Sequence, residues 1–242
     1  MNLPPVWHHF VAWIRRSGRL EIALLLAILA AVAGLWTFGM LAEEVMEGDT
    51  AKFDERILLA LRQPGNLAAP IGPPWTLQVA RDITAFGGAF GIGLITLAVM
   101  GYLLLERRYG FLLLVIVSVY GGSALALLFK TWFHRNRPQI VPHLTDISTA
   151  SFPSGHSMIS SVAYLTLAAL LARAAPDLVT KIYFLAVAVV LIALIGFSRV
   201  LLGVHYPTDV LAGWAMGSAW AIICCLVARF LANRRVVMPD KE

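Results

Sequence analysis

Three short polar clusters lie in the second half of an otherwise oily chain: Lys130 with Arg137-Pro138, Pro153-Ser154-Gly155-His156, and Ser198-Arg199 with His205 and Asp209. Their residue types are those a phosphoryl transfer needs, where positioning and neutralising developing negative charge do most of the catalysis. Lys130, Arg137 and Arg199 can surround phosphate oxygens. His205 and His156 can divide the nucleophilic and proton-transfer work, and Asp209 can orient His205.

Taken singly, each cluster also has a plainer explanation. Lys130 and Arg137 are seven residues apart, close to two helical turns, so both can point the same way from the end of one helix. Pro138 disfavours helix at Arg137 and marks that end. Cations there also serve as interfacial anchors whose heads snorkel to water. Ser154 stands where an N-cap belongs, and the backbone N–H groups of Ser154 and Gly155 make an anion site at a helix start; the plainer reading is a cap beside a satisfied polar residue. His205 precedes Pro207, which suits a first helical position, and puts Asp209 in the first turn, where the dipole favours a carboxylate. From there Asp209 can fix the tautomer of His205 and leave the other ring nitrogen free to attack; a capping Asp beside an interfacial His is the alternative.

Read jointly, His205 attacks phosphorus, water then hydrolyses the phosphohistidine, and His156 protonates the leaving oxygen before deprotonating the water. No thiolate cluster or carboxylate cage accompanies these histidines, so neither a metal nor another cofactor is expected.

The elements that must carry the clusters are membrane spans. The chain has 242 residues, of which 59% are hydrophobic and 14% charged; its mean hydropathy of +0.77 lies outside the range of soluble domains. A bilayer core of about 30 Å takes roughly 20 apolar residues per helix. Six runs qualify, at about 20–42, 85–105, 110–130, 157–174, 181–202 and 209–230. For the first, Arg15, Arg16 and Arg19 followed by Ala31-Val32-Ala33 also match a cleavable signal, but apolar residues continue through Trp36, Phe38 and Leu41, so an uncleaved anchoring helix is expected. The expected fold is all-α: one integral membrane domain over residues 1–242, a bundle of six transmembrane helices with an outer loop at about 43–84 carrying short helices.

Orientation follows from the cations. With the amino terminus inside, eleven of the nineteen Lys and Arg fall on the inner side. Of the other eight, Lys130, Arg137 and Arg199 belong to the clusters and Arg135 adjoins them, leaving Lys52, Arg56, Arg62 and Arg81 as ordinary outer cations. Both termini are therefore expected in the cytoplasm. With six alternating spans, all three clusters then land on the same outer face. The net charge of +5 needs no nucleic-acid partner, because inner-loop and site cations account for it.

In the outer loop, Phe53, Ile57, Leu58 and Leu61 recur at helical spacing while Asp54, Glu55, Arg56 and Arg62 take the other face. That pattern suits an amphipathic helix on the membrane surface, or a short helix packing over the bundle. Cys224 and Cys225 are adjacent and are assigned no role.

The clusters closely resemble the three-part signature of the type 2 phosphatidic acid phosphatase family, K-x6-RP, PSGH and SR-x5-H-x3-D. Lys130 to Pro138, Pro153 to His156 and Ser198 to Asp209 match it without substitution at a signature position. The resemblance implies a helical membrane enzyme that removes phosphate, without a metal, from a lipid phosphate or diphosphate at the non-cytoplasmic face. His205 would be its nucleophile, with His156 and Asp209 catalytic and Lys130, Arg137, Ser154, Gly155 and Arg199 binding phosphate. Bacterial relatives act on undecaprenyl diphosphate, phosphatidylglycerol phosphate, phosphatidate or lipid A phosphates, and some transfer the phosphate rather than hydrolyse it.

Other classes fit less well. Vanadium haloperoxidases share the three motifs but are soluble. A noncatalytic lipid-binding relative would be expected to lack catalytic residues that are present here. A transporter would be expected to carry ionisable residues within its spans, and those interiors are almost free of charge.

Overall fold

The computed structural model describes residues 5–145 and 149–237, with side chains over 21–145 and 149–233. In chain order the elements are α1 (Pro5–Glu47), α2 (Ala51–Ala60), β1 (Arg62–Gln63), β2 (Asn66–Pro70), α3 (Thr76–Ala85), α4 (Ala89–Leu105), α5 (Tyr109–Phe133), α6 (Gly155–Ala174), α7 (Leu178–Leu201) and α8 (Pro207–Val237). The two strands form a small antiparallel ribbon.

Five helices, α1, α5, α6, α7 and α8, are each long and apolar enough to cross a membrane. The sixth span differs from the single run expected at 85–105. Helix α4 has 17 residues, and it makes a sixth span only together with α3, from which it is bent by 42°. The break falls at Phe86-Gly87-Gly88, where two poor helix formers meet and Gly88 is extended as the N-cap of α4. The first helix also runs past the expected 20–42, continuing to Glu47.

Helix α6 is the centre of the bundle: half of its apolar window is buried, against 6% for α1. Apolar burial gives helices little drive to associate in lipid, so close backbone approach must hold them. Gly213 and Gly217 of α8, one turn apart, supply that approach. A Cβ at Gly213 would stand 2.8 Å from the Ser154 carbonyl oxygen, and one at Gly217 would meet the Met158 carbonyl oxygen and Ser161 Cβ. Helix α1 lies along α8 in the same way, with Gly34 against Ala215 and Ala219. Its Phe38 joins Phe129, Phe133 and Phe152 in an aromatic cluster beneath the loop that carries Ser151.

Helix α2 corrects the face assigned to it. Asp54 is fully buried and Arg62, just beyond the helix, is 4% exposed, while Phe53 is half exposed. The helix therefore covers the bundle with a carboxylate turned inward, because Arg135 and Thr208, both distant in the chain, satisfy that carboxylate. Arg62 likewise is no ordinary outer cation, since its Nη1 donates to the Leu201 carbonyl oxygen at 2.9 Å. Cys224 and Cys225 are free.

Candidate active site

Four helix ends deliver the three clusters to one place. Helix α5 carries Lys130 in its last turn and stops at His134, whose left-handed conformation (φ 47°) turns the chain away. Arg137 thus lies in irregular backbone four residues past the helix, not two turns along it as the spacing suggested. The two cations nonetheless converge: Lys130 Nζ donates to the Ala150 carbonyl oxygen at 2.6 Å, and Arg137 Nε donates to that of Thr149 at 2.7 Å. Helix α6 begins at Gly155 with Ser154 as its N-cap, the Ser154 hydroxyl accepting from Ser157 N–H. Helix α7 brings Arg199 in its last turn, after which Gly203 (φ 73°) breaks the helix where a side chain would be strained. Helix α8 starts at Pro207 and places Asp209 in its first turn, as the spacing predicted.

A cavity of about 660 Å³ opens between these ends, lined by Lys130, Arg137, Gly155, His156, Arg199 and His205. It continues along α4 and α5 past Ile92, Val119 and Tyr120. Val119 lies eleven residues before Lys130, which at 1.5 Å per residue puts the apolar end roughly 16 Å from the cations.

His205 is almost fully buried. Its Nδ1 faces Asp209 Oδ2 at 3.3 Å, and its Nε2 faces Arg137 Nη1 at 3.3 Å. A guanidinium has no acceptor, so Nε2 carries the lone pair and Nδ1 the proton. Burial pushes the His205 imidazole down to about 3, against the opposing pull of the hydrogen bond and charge of Asp209, and keeps the ring neutral. Burial also lowers the Arg137 guanidinium, with Asp209 working in the other direction.

The Asp209 carboxylate is held on every side. Oδ2 accepts from Ser151 Oγ at 2.5 Å and from Tyr206 N–H at 2.9 Å, and Oδ1 accepts from Arg135 Nη1 at 2.5 Å. The bond to Tyr206 N–H is the reach-back half of a capping box on α8. Arg135 is desolvated, but Asp209 and Asp54 hold its guanidinium above its ordinary range.

Arg199 is buried, donating through Nη1 to Thr84 Oγ1 at 2.9 Å while its Nε has no partner. The residue lines the cavity beside Lys130 and Arg137, where a third cation suits an incoming anion. His156 lines the cavity beside the glycines at the α3–α4 bend; a Cβ at Gly88 would lie 3.5 Å from its Nε2. Among the described residues its ring has no hydrogen-bond partner.

Ser154 departs from its expected part. Its backbone N–H donates to the Asp209 carbonyl oxygen at 3.0 Å, so it caps α6 and ties α6 to α8 and offers no amide to an anion. Gly155 alone of that pair lines the cavity. Arg135, Ser151, Thr208, Asp54 and Thr84 were not singled out from the sequence as site residues. Arg135 sits inside the first cluster and could have been found there; Asp54 and Thr84 lie in the outer segment, far from any motif, and nothing in their spacing marks them.

Comparison with known proteins places this geometry in a family. The model of the PAP2 superfamily matches residues 110–232, which hold all three clusters. Phosphatidylglycerophosphatase B of Bacillus subtilis is 37% identical over 154 residues, covering 62% of this chain and 74% of that protein. Decaprenylphosphoryl-5-phosphoribose phosphatase of Mycobacterium tuberculosis is 34% identical over 154 residues, covering 62% of this chain and 80% of that one. The crystal structure of a transmembrane PAP2 type phosphatidylglycerolphosphate phosphatase from Bacillus subtilis superposes with a TM-score of 0.73 at 27% identity, over 87% of this chain and 98% of that chain. The family model covers the motif-bearing half and the solved structure shares the helical membrane architecture; this chain is an integral membrane protein of the PAP2 superfamily.

Proposed function

We propose that the chain is a lipid phosphatase that hydrolyses a lipid phosphate or diphosphate at the outer face of the membrane through a phosphohistidine intermediate. The observation that carries the reading is the course of one cavity: three cations and a neutral imidazole lone pair meet at one end, and apolar side chains of α4 and α5 line the other. A phosphate headgroup fits the first and a lipid tail the second. Phosphatidylglycerol phosphate and polyprenyl-linked phosphates are the substrate types to which the named relatives point.

In this mechanism Lys130, Arg137 and Arg199 neutralise the phosphate oxygens. The His205 Nε2 lone pair attacks phosphorus, the bond from phosphorus to the lipid oxygen breaks, and protonated His156 gives its proton to that oxygen. Neutral His156 then takes a proton from water, whose oxygen attacks phosphorus and displaces His205. Asp209 keeps the His205 proton on Nδ1 throughout and stabilises the positive charge that develops on the ring. With both termini cytoplasmic, as the distribution of cations supports, the site faces the periplasm or cell exterior.

The test is phosphate release by the detergent-purified protein in the presence of EDTA, over a panel of diphosphate isoprenoids and monophosphate glycerolipids. Release from one class with EDTA present is expected, and activity surviving intact in His205→Ala would overturn the nucleophile assignment.

A further inference from the structure

We propose that Asp54 of α2 is a positioning residue for the His205–Asp209 pair, acting through Arg135. The proposal takes its chemistry from the phosphatase reading above, but its geometry stands alone. Asp54 lies outside the stretch matched by the family model, residues 110–232, on a helix of the outer loop.

The chain of contacts is short. Arg135 Nη1 donates to Asp209 Oδ1, and Nη2 of the same guanidinium donates to Asp54 Oδ2 at 2.8 Å. Arg135 comes from irregular backbone, so no helix aims its side chain. What aims it is the Asp54 carboxylate, the Thr208 hydroxyl at 2.9 Å and the Tyr206 ring 4.2 Å from its guanidinium carbon. Asp54 is itself fixed, fully buried on α2 with Oδ1 accepting Thr208 N–H at 3.0 Å and Oδ2 accepting Thr208 Oγ1 at 2.6 Å.

Thr208 N–H is one of the orphan donors in the first turn of α8, which a helix normally satisfies from its own cap. Here a carboxylate 154 residues earlier in the chain satisfies it. Asp54 thereby pins the start of α8, which presents Asp209, and the guanidinium that grips Asp209 Oδ1. A buried carboxylate is costly unless paired, and charge-assisted bonds from Arg135 and Thr208 offset that cost. Loss of the Asp54 charge frees Arg135 to pivot and lets Asp209 turn away from His205 Nδ1. The rate then falls because the nucleophile is misaimed, with the cations that bind phosphate untouched.

The experiment compares the wild type with Asp54→Asn, Arg135→Gln and the double variant. The Asn oxygen still accepts from Thr208 N–H, so what is lost is the charge, the grip on Arg135 and the bond from the Thr208 hydroxyl. Asp54→Asn is expected to lower kcat by about 10²-fold, the cost of a misplacement on the ångström scale, with KM little changed. Arg135→Gln is expected to match it, and the double variant to fall no further. Wild-type kcat in Asp54→Asn, or losses that multiply in the double variant, would overturn the proposal. A wild type that releases no phosphate would sink the phosphatase reading alone, because ¹⁵N NMR of histidine-labelled protein reads the His205 tautomer without substrate. A weakened Nδ1–H signature in Asp54→Asn is expected there, and an unchanged one counts against the positioning role. Should Asp54→Asn not fold, Thr208→Val, which strips one hydroxyl from Asp54, is read in the same two ways.

Discussion

Arg137 and His205 face each other across 3.3 Å, with Nη1 of the guanidinium also donating to the Val204 carbonyl oxygen at 2.6 Å. Because the guanidinium only donates, this contact decides which imidazole nitrogen is bare, and it places a cation proposed to bind phosphate against the atom proposed to attack.

Arg137 makes its contacts through three different nitrogens, to Thr149, Val204 and His205. A single ammonium cannot reproduce that fork. Arg137→Lys is expected to lower kcat/KM by about 10²-fold, measured as phosphate release at subsaturating lipid. Near-wild-type efficiency would mean that charge alone is used.

Burial holds His205 at about 3, below the ordinary imidazole value of about 6.5. The ring is therefore expected to remain neutral in ¹⁵N NMR spectra from about pH 8 to about pH 5, and a titration midpoint near 6.5 would contradict it. The sign for stability follows. A group depressed in the folded state contributes stability that is fully present above about pH 6.5 and is lost as pH falls from there towards its folded value. Part of the acid-induced drop in the thermal midpoint should accordingly be missing in His205→Gln.

Thr84 gives the Arg199 side chain its one hydrogen bond to protein among the described residues. Thr84→Val leaves that buried donor unsatisfied, at a cost of about 1–3 kcal/mol, and frees the guanidinium to move. A lower thermal midpoint and a raised KM are expected together, with Thr84→Ser restoring both. A Thr84→Val protein that melts and binds as the wild type does would show that the contact holds nothing.

Gly217 lets α8 approach the Met158 carbonyl oxygen of α6. A leucine there must push the two helices apart, costing about 3 kcal/mol or more by overpacking against backbone. Ser154, His156 and Asp209 sit at the ends of these same helices, so Gly217→Leu is expected to lose phosphatase activity along with thermal stability. Leucine at Gly101, where a Cβ meets nothing within 4 Å and which does not line the cavity, serves as the control for helix stability.

A reporter fused after Glu242, beyond the described residues, is expected to score as cytoplasmic; a clear periplasmic signal would invert the proposed orientation of the site.

Much of this was legible in the linear chain. Apolar runs of about 20 residues specify spans whatever their neighbours, because unsatisfied backbone in lipid is prohibitive. Local rules likewise placed Ser154 as a cap, Pro207 at a helix start and Asp209 within reach of His205, since each depends only on residues a few positions away. The broken second span was less legible: length and hydropathy treat 85–105 as continuous, and the bend shows only once Gly87 and Gly88 meet His156.

What folding alone decided are the long-range partners. Asp54 reads as one charged residue on the polar face of a short helix, yet it is buried because Arg135 from a loop and Thr208 from the start of α8 arrive from far along the chain. Ser154 N–H reads as an open donor until the Asp209 carbonyl of α8 claims it. Burial of a polar group is favourable only when a partner is brought to it, and which partner arrives is a property of how the helices pack, beyond the reach of periodicity or spacing.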